Sequence, residues 1–155
     1  LQAQSLPMLS LKRITGSGQS ASFMGSEFSY EDVAPQEIEK FDYTLLREEK
    51  LDGQEVWVLE RRPKKKSGYS KQIIFMAKKY MNALKVDYFD RKEELLKTAL
   101  FSGFKEYKVG KKTVWRPALV HMKNVQTRKE STFEWTERKL GQAFKESDFD
   151  QSALD

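Results

Sequence analysis

A two-residue alternation of apolar and polar side chains, which begins near Asp42, constrains the fold of this chain more than any other feature. Tyr43 and Leu45 alternate with polar neighbours, and the pair Asp52-Gly53 is a strong hairpin signal between segments 42–51 and 54–62. Such alternation is typical of strands with one buried face. Because the alternation and the turn signals recur as far as residue 137, the sequence predicts a mainly β fold.

The turn signals divide this region into about eight strands joined by consecutive hairpins, which gives an antiparallel sheet that can close, curl or pack on a second layer. Leu95–Tyr107 is predicted to be one long strand, bent at Gly103. Before the strands, short helices are expected near the start. Ser29 and Asp32 have the spacing of a capping box, and Pro35–Lys40 suits a second short helix. The tail 146–154 is expected to form a turn or a short helix.

The residue inventory excludes several classes of function. With 155 residues, one domain spanning 1–155 is the default expectation. The absence of cysteine excludes a disulfide framework, a thiolate metal site and a cysteine nucleophile. The single histidine, His121, lies in a predicted strand and has no catalytic partner set around it. We therefore expect a protein that is not an enzyme, with no catalytic residues, no metal and no cofactor.

One dense run of positive charge interrupts an otherwise mixed distribution, in a chain of net charge +5. A solvated hairpin loop is the favoured interpretation of this run. The alternative is an interaction module, in which the run docks on an acidic membrane surface or partner protein. A nucleic-acid partner is not expected. The run consists of Arg61, Arg62, Lys64, Lys65 and Lys66.

Aromatic side chains recur along successive predicted strands and make up 12% of the chain. If one sheet face collects them, they form either a plain core or an apolar surface that the short helices cannot fully cover. An uncovered concave apolar face would suit lipid or acyl chains. The candidates for a ligand-binding cavity and its lid are Phe23, Met24, Phe28, Tyr30, Phe75, Tyr88, Phe101, Trp115 and Trp135.

Several sequence blocks together resemble one known family. The longest is Ser22–Asp32, which reads SFMGSEFSYED, and it is preceded by Leu6-Pro7-Met8-Leu9. Val86–Asp90, Trp115-Arg116-Pro117 and Met122–Thr127 follow in the order and spacing of that family. The match extends from about Leu6 to Leu154. By these blocks the chain resembles the LolA-like outer-membrane lipoprotein-sorting proteins.

This resemblance implies an incomplete, curved antiparallel β-barrel with small helices as a lid. It also implies a periplasmic location and a cavity that holds lipoprotein acyl chains or another lipid. An inner-membrane transporter or an outer-membrane acceptor would then be a further partner. The family's N-terminal strands have no counterpart in residues 1–5, so the cavity residues that this region supplies in other members cannot be carried over.

Overall fold

Ten strands and two short helices are described by the computed structural model, which covers residues 11–15, 26–33 and 37–135. Helix α1 spans Tyr30–Val33, and a 3₁₀ helix spans Ile38–Lys40. The strands are β1 Leu11–Thr15, β2 Phe41–Leu51, β3 Gln54–Pro63, β4 Lys71–Ala77, β5 Asn82–Phe89, β6 Leu95–Ser102, β7 Lys105–Val109, β8 Lys112–Arg116, β9 Leu119–Asn124 and β10 Glu130–Trp135.

Eight of these strands form one antiparallel sheet in the order β1-β10-β9-β6-β5-β4-β3-β2. Consecutive hairpins from β2 to β6 generate the central part, as the turn signals predict. The turn between β2 and β3 has positive φ at both Asp52 (50°) and Gly53 (79°), which matches the twist of a tight hairpin. Because β1 and β2 remain at opposite edges, the sheet is an incomplete barrel, and the predicted fold class is confirmed.

The prediction of one long strand over Leu95–Tyr107 is wrong, because this segment divides between two sheets. β6 ends at Ser102, and β7 then pairs with β8 in a separate two-stranded sheet. Gly103 adopts a φ of +67°, and the backbone N–H of Ala118 donates to the carbonyl oxygens of Ser102 (3.1 Å) and Gly103 (3.0 Å). The β7–β8 hairpin is therefore an insertion between β6 and β9, which are direct neighbours in the main sheet.

Each face of the main sheet packs a different group of apolar side chains. The larger core contains Ile74, Val86, Ala99, Met122 and Phe133. The smaller core, on the opposite face, contains Val56, Val58 and Phe75. The larger core also contains Phe28, from the segment 26–33 that precedes β2, so we call this side of the sheet the inner face.

Residues 26–33, here called the cover segment, lie across the inner face. Their backbone follows from a capping box: Ser29 N–H donates to Asp32 Oδ2 (2.8 Å), and Asp32 N–H donates back to Ser29 Oγ (3.3 Å). The predicted helical turn is thereby confirmed. Phe28 packs on Phe133 with ring centroids 4.5 Å apart, which fixes the start of the segment over β10.

The second predicted helix, Pro35–Lys40, is present as the 3₁₀ turn Ile38–Lys40, and residues 34–36 lie outside the described residues. The predicted structure for 146–154 also lies outside them. No helix in the described ranges is both long and apolar enough to cross a membrane.

Candidate functional site

A cavity of about 210 Å³ lies between the inner face of the sheet and the cover segment. Strands β3 to β6 form its floor, α1 closes one side, and Pro117 borders it where the β7–β8 hairpin rejoins the sheet. One part of the wall is apolar and consists of Ile74, Ala83, Val86, Phe101 and Pro117. The other part is polar and consists of Glu31, Asp32, Arg61, Gln72, Asn82 and Tyr88. The cavity is therefore amphipathic.

The polar side of the cavity follows from strand register. Arg61 on β3 is paired with Gln72 on β4, Gln72 with Tyr88 on β5, and Tyr88 with Lys97 on β6. Side chains at paired positions point to the same face of a sheet, so these four form a line across the strands, here called the polar row. All four residues are buried. The next paired positions toward the apolar wall are Leu59, Ile74, Val86 and Ala99.

At one end of the polar row, a buried ion pair joins the sheet to the cover segment. Lys97 Nζ lies 2.6 Å from Asp32 Oδ2, and the two side chains are only 5% and 2% exposed. Lys97 Nζ also donates to the carbonyl oxygen of Glu27 at 3.1 Å. It lies 5.2 Å from the ring centroid of Tyr69 and 5.5 Å from that of Tyr88, within cation–π range. These contacts satisfy the buried charge of Lys97.

The tyrosine hydroxyls beside this pair stay protonated. Tyr69 donates its hydroxyl to Asp32 Oδ1 at 2.6 Å. Burial raises the pKa of Tyr69 far above its ordinary value, and the negative charge of Asp32 raises it further. The pKa of Tyr88 is raised mainly by burial, then by Asp32, although nearby Arg61 opposes the rise. Both hydroxyls therefore stay neutral and provide no acid–base group near neutral pH.

Glu31 anchors α1 to the loop between β3 and β4. Its Oε1 accepts a hydrogen bond from the backbone N–H of Gly68 at 3.0 Å, and its Oε2 accepts one from the hydroxyl of Ser67. Residues 67–69 thus contact the cover segment at Glu31 and Asp32. The segment is held at β10 by Phe28, at β6 by Lys97 and at this loop by Glu31, which gives three attachment points along its length.

The β7–β8 hairpin is fixed against the turn between β4 and β5, next to the cavity. Asn82 Nδ2 donates to the carbonyl oxygen of Trp115 at 2.6 Å. The rings of Tyr80 and Phe104 stack with centroids 4.3 Å apart and planes 7° apart, and Trp115 packs beside Tyr80 at 5.1 Å. Asn82 is itself a cavity residue, so this contact connects the inserted hairpin to the cavity wall.

The structure brings some of the predicted lining residues together and separates others. Tyr88 and Phe101 line the cavity, whereas Phe28 and Trp135 belong to the surrounding inner-face core. Phe75 lies on the opposite face with Val56 and Val58, and the Trp115 ring packs on Tyr80 in the inserted hairpin rather than in the cavity wall. Phe23, Met24 and the Tyr30 side chain lie outside the described residues.

The basic run is not a single loop. Arg61 and Arg62 belong to β3, and they point to opposite faces of the sheet. Arg61 is buried, whereas Arg62 pairs with Glu60 at 3.1 Å and with Glu93 at 3.0 Å. Lys64, Lys65 and Lys66 are exposed beyond the end of β3. Four members of the run therefore remain at the surface for the docking function considered from the sequence: the ion-paired Arg62 and the three lysines.

Sequence reasoning missed most of the polar residues of the site. The sequence predicts a helix-capping role for Asp32, and no pattern in it assigns Lys97, Gln72 or Tyr69 to the site. A signal for Arg61 was present, since alternation along β3 from Trp57 and Leu59 places it on the same face. His121 lies in a strand, as predicted, and its Nδ1 and Nε2 lie 2.6 Å from Thr132 Oγ1 and 2.7 Å from Glu130 Oε1. No cluster of metal-ligating side chains occurs within the described ranges.

Comparisons with known proteins agree with this architecture over nearly the whole chain. A protein-family model, described as that of an uncharacterized protein, matches residues 7–155. A solved domain assigned to outer-membrane lipoprotein sorting, from Vibrio parahaemolyticus, is 39% identical with a TM-score of 0.73, over 91% of this chain and 59% of that one. The chain belongs to the family of this model, and its resemblance to the LolA-like lipoprotein-sorting proteins is confirmed. No curated protein matches it.

Two further solved structures resemble this LolA-like chain. A DUF1329 family protein from Desulfovibrio piger is 31% identical with a TM-score of 0.67, over 93% of this chain and 60% of that one. A LolA superfamily protein from Nitrosomonas europaea is 20% identical with a TM-score of 0.64, over 90% and 61%, and it supports the fold alone. The chain therefore spans about three fifths of the length of these structures.

Proposed function

We propose that this LolA-like chain is a non-catalytic carrier that binds the acyl part of a lipid or lipid-modified protein in the inner-face cavity. The observation that carries the proposal is the amphipathic cavity between the sheet and the cover segment. Ile74, Ala83, Val86 and Phe101 give it an apolar wall, and burying an acyl chain there contributes about 0.8 kcal/mol per methylene. The relatives of the chain point the same way, since one is assigned to lipoprotein sorting.

The size of the cavity indicates how a lipid would enter. At about 210 Å³ it is smaller than the ~300–1,000 Å³ of most small-molecule sites, so it accommodates the end of one chain. A longer chain requires the cover segment to move away from the sheet. The proposed lid is therefore residues 26–33, which contact the sheet through the backbone of Glu27 and the side chains of Phe28 and Asp32 and form none of its strands. In this proposal the sheet stays intact while the lid opens.

The proposed setting is the periplasm, between an inner-membrane donor and an outer-membrane acceptor. This follows from the family resemblance and from the sorting role assigned to the Vibrio relative. Osmotic-shock release of the natural protein would test the location. Recovery with the cytoplasmic fraction would contradict it.

The binding proposal is tested by native mass spectrometry after gentle purification and by titration with a fluorescent fatty acid. Ala83→Leu adds side-chain volume within the cavity and is expected to weaken dye binding at least tenfold. Leu100→Ala is the matched control, because Leu100 is exposed on β6, whose Ala99 and Phe101 face inward, and its loss leaves the cavity unchanged. Equal dye binding by Ala83→Leu and wild type, or no lipid and no dye bound by the wild type, would overturn the carrier proposal.

A further inference from the structure

Arg61 carries a buried positive charge that the protein does not neutralise within its described residues. The residue is 6% exposed, and it lines the cavity at the end of the polar row farthest from Lys97. None of the ion pairs among the described residues involves it, and its Nε–H has no hydrogen-bond partner there. Its contacts are a hydrogen bond from Nη2 to Gln72 Oε1 and a cation–π contact with Phe41, whose ring centroid lies 4.4 Å away.

These two contacts are insufficient for a guanidinium group removed from water. Arginine has five N–H donors, and burying its charge is costly unless a counter-ion or several acceptors replace the lost water. Lys97, at the other end of the row, shows the usual solution: an aspartate at 2.6 Å, a backbone carbonyl and two aromatic rings. The polar row therefore holds two cations, and only one of them has an anionic partner in the described structure.

The other charged groups of the cavity wall are both acids, and both already have donors. Asp32 accepts from Lys97 and Ser29 at Oδ2 and from Tyr69 at Oδ1. Glu31 directs its two oxygens to Ser67 and Gly68 in the β3–β4 loop. Neither acid is within ion-pairing distance of Arg61. A ligand anion placed at Arg61 would lie at the end of the row away from the Asp32–Lys97 pair.

We propose that the cavity selects amphiphiles with an anionic headgroup, a carboxylate or a phosphate, which pairs with Arg61 while the acyl chain lies along Ile74, Val86 and Phe101. The proposal rests on the proposed carrier function and adds the chemical class of the ligand. Guanidinium groups bind carboxylate and phosphate through two parallel hydrogen bonds, and Nε–H is one of the donors such a pair uses. Gln72 holds the guanidinium in place, and Tyr88 lies beside Gln72 in the row.

The test compares three ligands that share a decyl chain and differ only in headgroup charge: decanoate, decanol and decylammonium. Binding to the folded chain is measured by calorimetry below the micelle concentration of each ligand. The variants are Arg61→Gln and, as the matched control, Arg62→Gln, which removes an exposed guanidinium from the same strand. Acetate and inorganic phosphate are titrated separately, to distinguish a lipid headgroup from a free anion.

We expect wild type to bind decanoate ten- to a hundredfold more tightly than decanol, since a hydrogen bond to a charged group contributes this much, and to bind decylammonium weakest. Arg61→Gln is expected to remove most of the difference between decanoate and decanol while leaving decanol binding within about twofold of wild type. Arg62→Gln is expected to change neither the difference between decanoate and decanol nor the affinity for decanol. Retained decanol affinity also establishes that the Arg61→Gln cavity is folded.

Equal affinity for decanoate and decanol in wild type, or unchanged discrimination in Arg61→Gln, would overturn the headgroup proposal and leave the carrier proposal intact. Binding of acetate or phosphate as tightly as decanoate would also overturn it, since the site would then take a free anion. If none of the three decyl ligands binds, both proposals fall.

Discussion

Lys97 and Asp32 determine, at the scale of single residues, how firmly the cover segment is held. Both side chains are buried, and the charge of each is stabilised by the other and by the hydrogen bonds around the pair. In buried pairs of this kind the attraction is largely offset by the cost of removing both charges from water. Removing only one partner is strongly destabilising, because the remaining charge is then buried without its counter-ion.

We therefore expect Lys97→Met to lower the free energy of unfolding by about 3–5 kcal/mol, because Asp32 then remains buried beside only neutral donors. Urea denaturation followed by tryptophan fluorescence measures the change. Lys71→Met is the control: Lys71 lies 3.9 Å from Glu60 with both side chains about one fifth exposed, and such a pair contributes at most about 1 kcal/mol. Equal losses in the two variants would show that burial does not govern the Lys97 interaction.

Arg61 shows why single residues of the site were hard to predict. In the sequence it begins a run of basic residues, and such runs are usually solvated. Its burial results from the length of β3, which continues to Pro63, and from the alternation that places Arg61 on the inner face with Leu59. The hairpin at Asp52-Gly53 and the two-residue period of β3 together indicate that Arg61 faces inward with Leu59. The charge of the run nevertheless favours a solvated loop, and that interpretation hides the burial of Arg61. The partners Gln72, Tyr88 and Lys97 depend on register between distant strands.

At the scale of elements, local sequence signals predict the hairpins correctly. They do not predict features that depend on which distant strands pair with each other. Asp52-Gly53 and the capping box at Ser29 each act within a few residues, and both are present as expected. The separation of β6 from β7 is different, because it depends on which strand pairs with each half of Leu95–Tyr107. Similarly, Ile73-Ile74-Phe75-Met76 is apolar on both faces, so alternation could not show that Phe75 points away from the cavity.

Gly103 is the element-scale feature most open to a direct test. Its φ is +67°, and an added Cβ would lie 3.3 Å from the Cβ of Ala118, where the hairpin rejoins the sheet. Gly110, at the tip of the same hairpin, has a similar φ of +63° but no atom within 4 Å of an added Cβ. A substitution by alanine would strain the backbone at both positions, but only at Gly103 would the added Cβ also meet a neighbouring side chain.

We expect Gly110→Ala to lower the free energy of unfolding by about 1 kcal/mol, which is the cost of a left-handed backbone for alanine. Gly103→Ala is expected to cost about 1 kcal/mol more, because Ala118 must also shift. Thermal or urea unfolding of both variants measures the difference. Equal destabilisation by the two substitutions would mean that Ala118 can shift without a loss of stability, so that its close approach to Gly103 does not matter.

At the scale of the whole molecule, the two halves of the edge strand β2 differ in how they are protected from pairing with another chain. The C-terminal half of β2 carries the charged run Arg47-Glu48-Glu49-Lys50, which disfavours pairing with another strand. The N-terminal half of β2 presents Tyr43, Leu45 and Leu46, which are 36%, 56% and 44% exposed. A free strand edge next to exposed apolar side chains is prone to association with another chain.

We expect a chain of these 155 residues to self-associate at high concentration through β2, and Leu45→Lys to shift it toward the monomer. Sedimentation equilibrium measures the effect. Leu100→Lys is the matched control, because Leu100 is 49% exposed but lies on β6, which has a partner strand on each side. If both substitutions reduce association equally, general surface hydrophobicity rather than the free edge is responsible.

The inserted β7–β8 hairpin has a consequence for how proteins of this type diversify. Its two ends meet at Ala118, and β6 and β9 pair directly across its base, so its length is independent of the barrel. A hairpin of different length over residues 103–117 would therefore leave the pairing of β6 with β9 in place. Since Pro117 and the Asn82–Trp115 contact reach the cavity wall, such a change would reshape the cavity while the sheet stays the same, and under the proposed carrier function it would change which ligand fits.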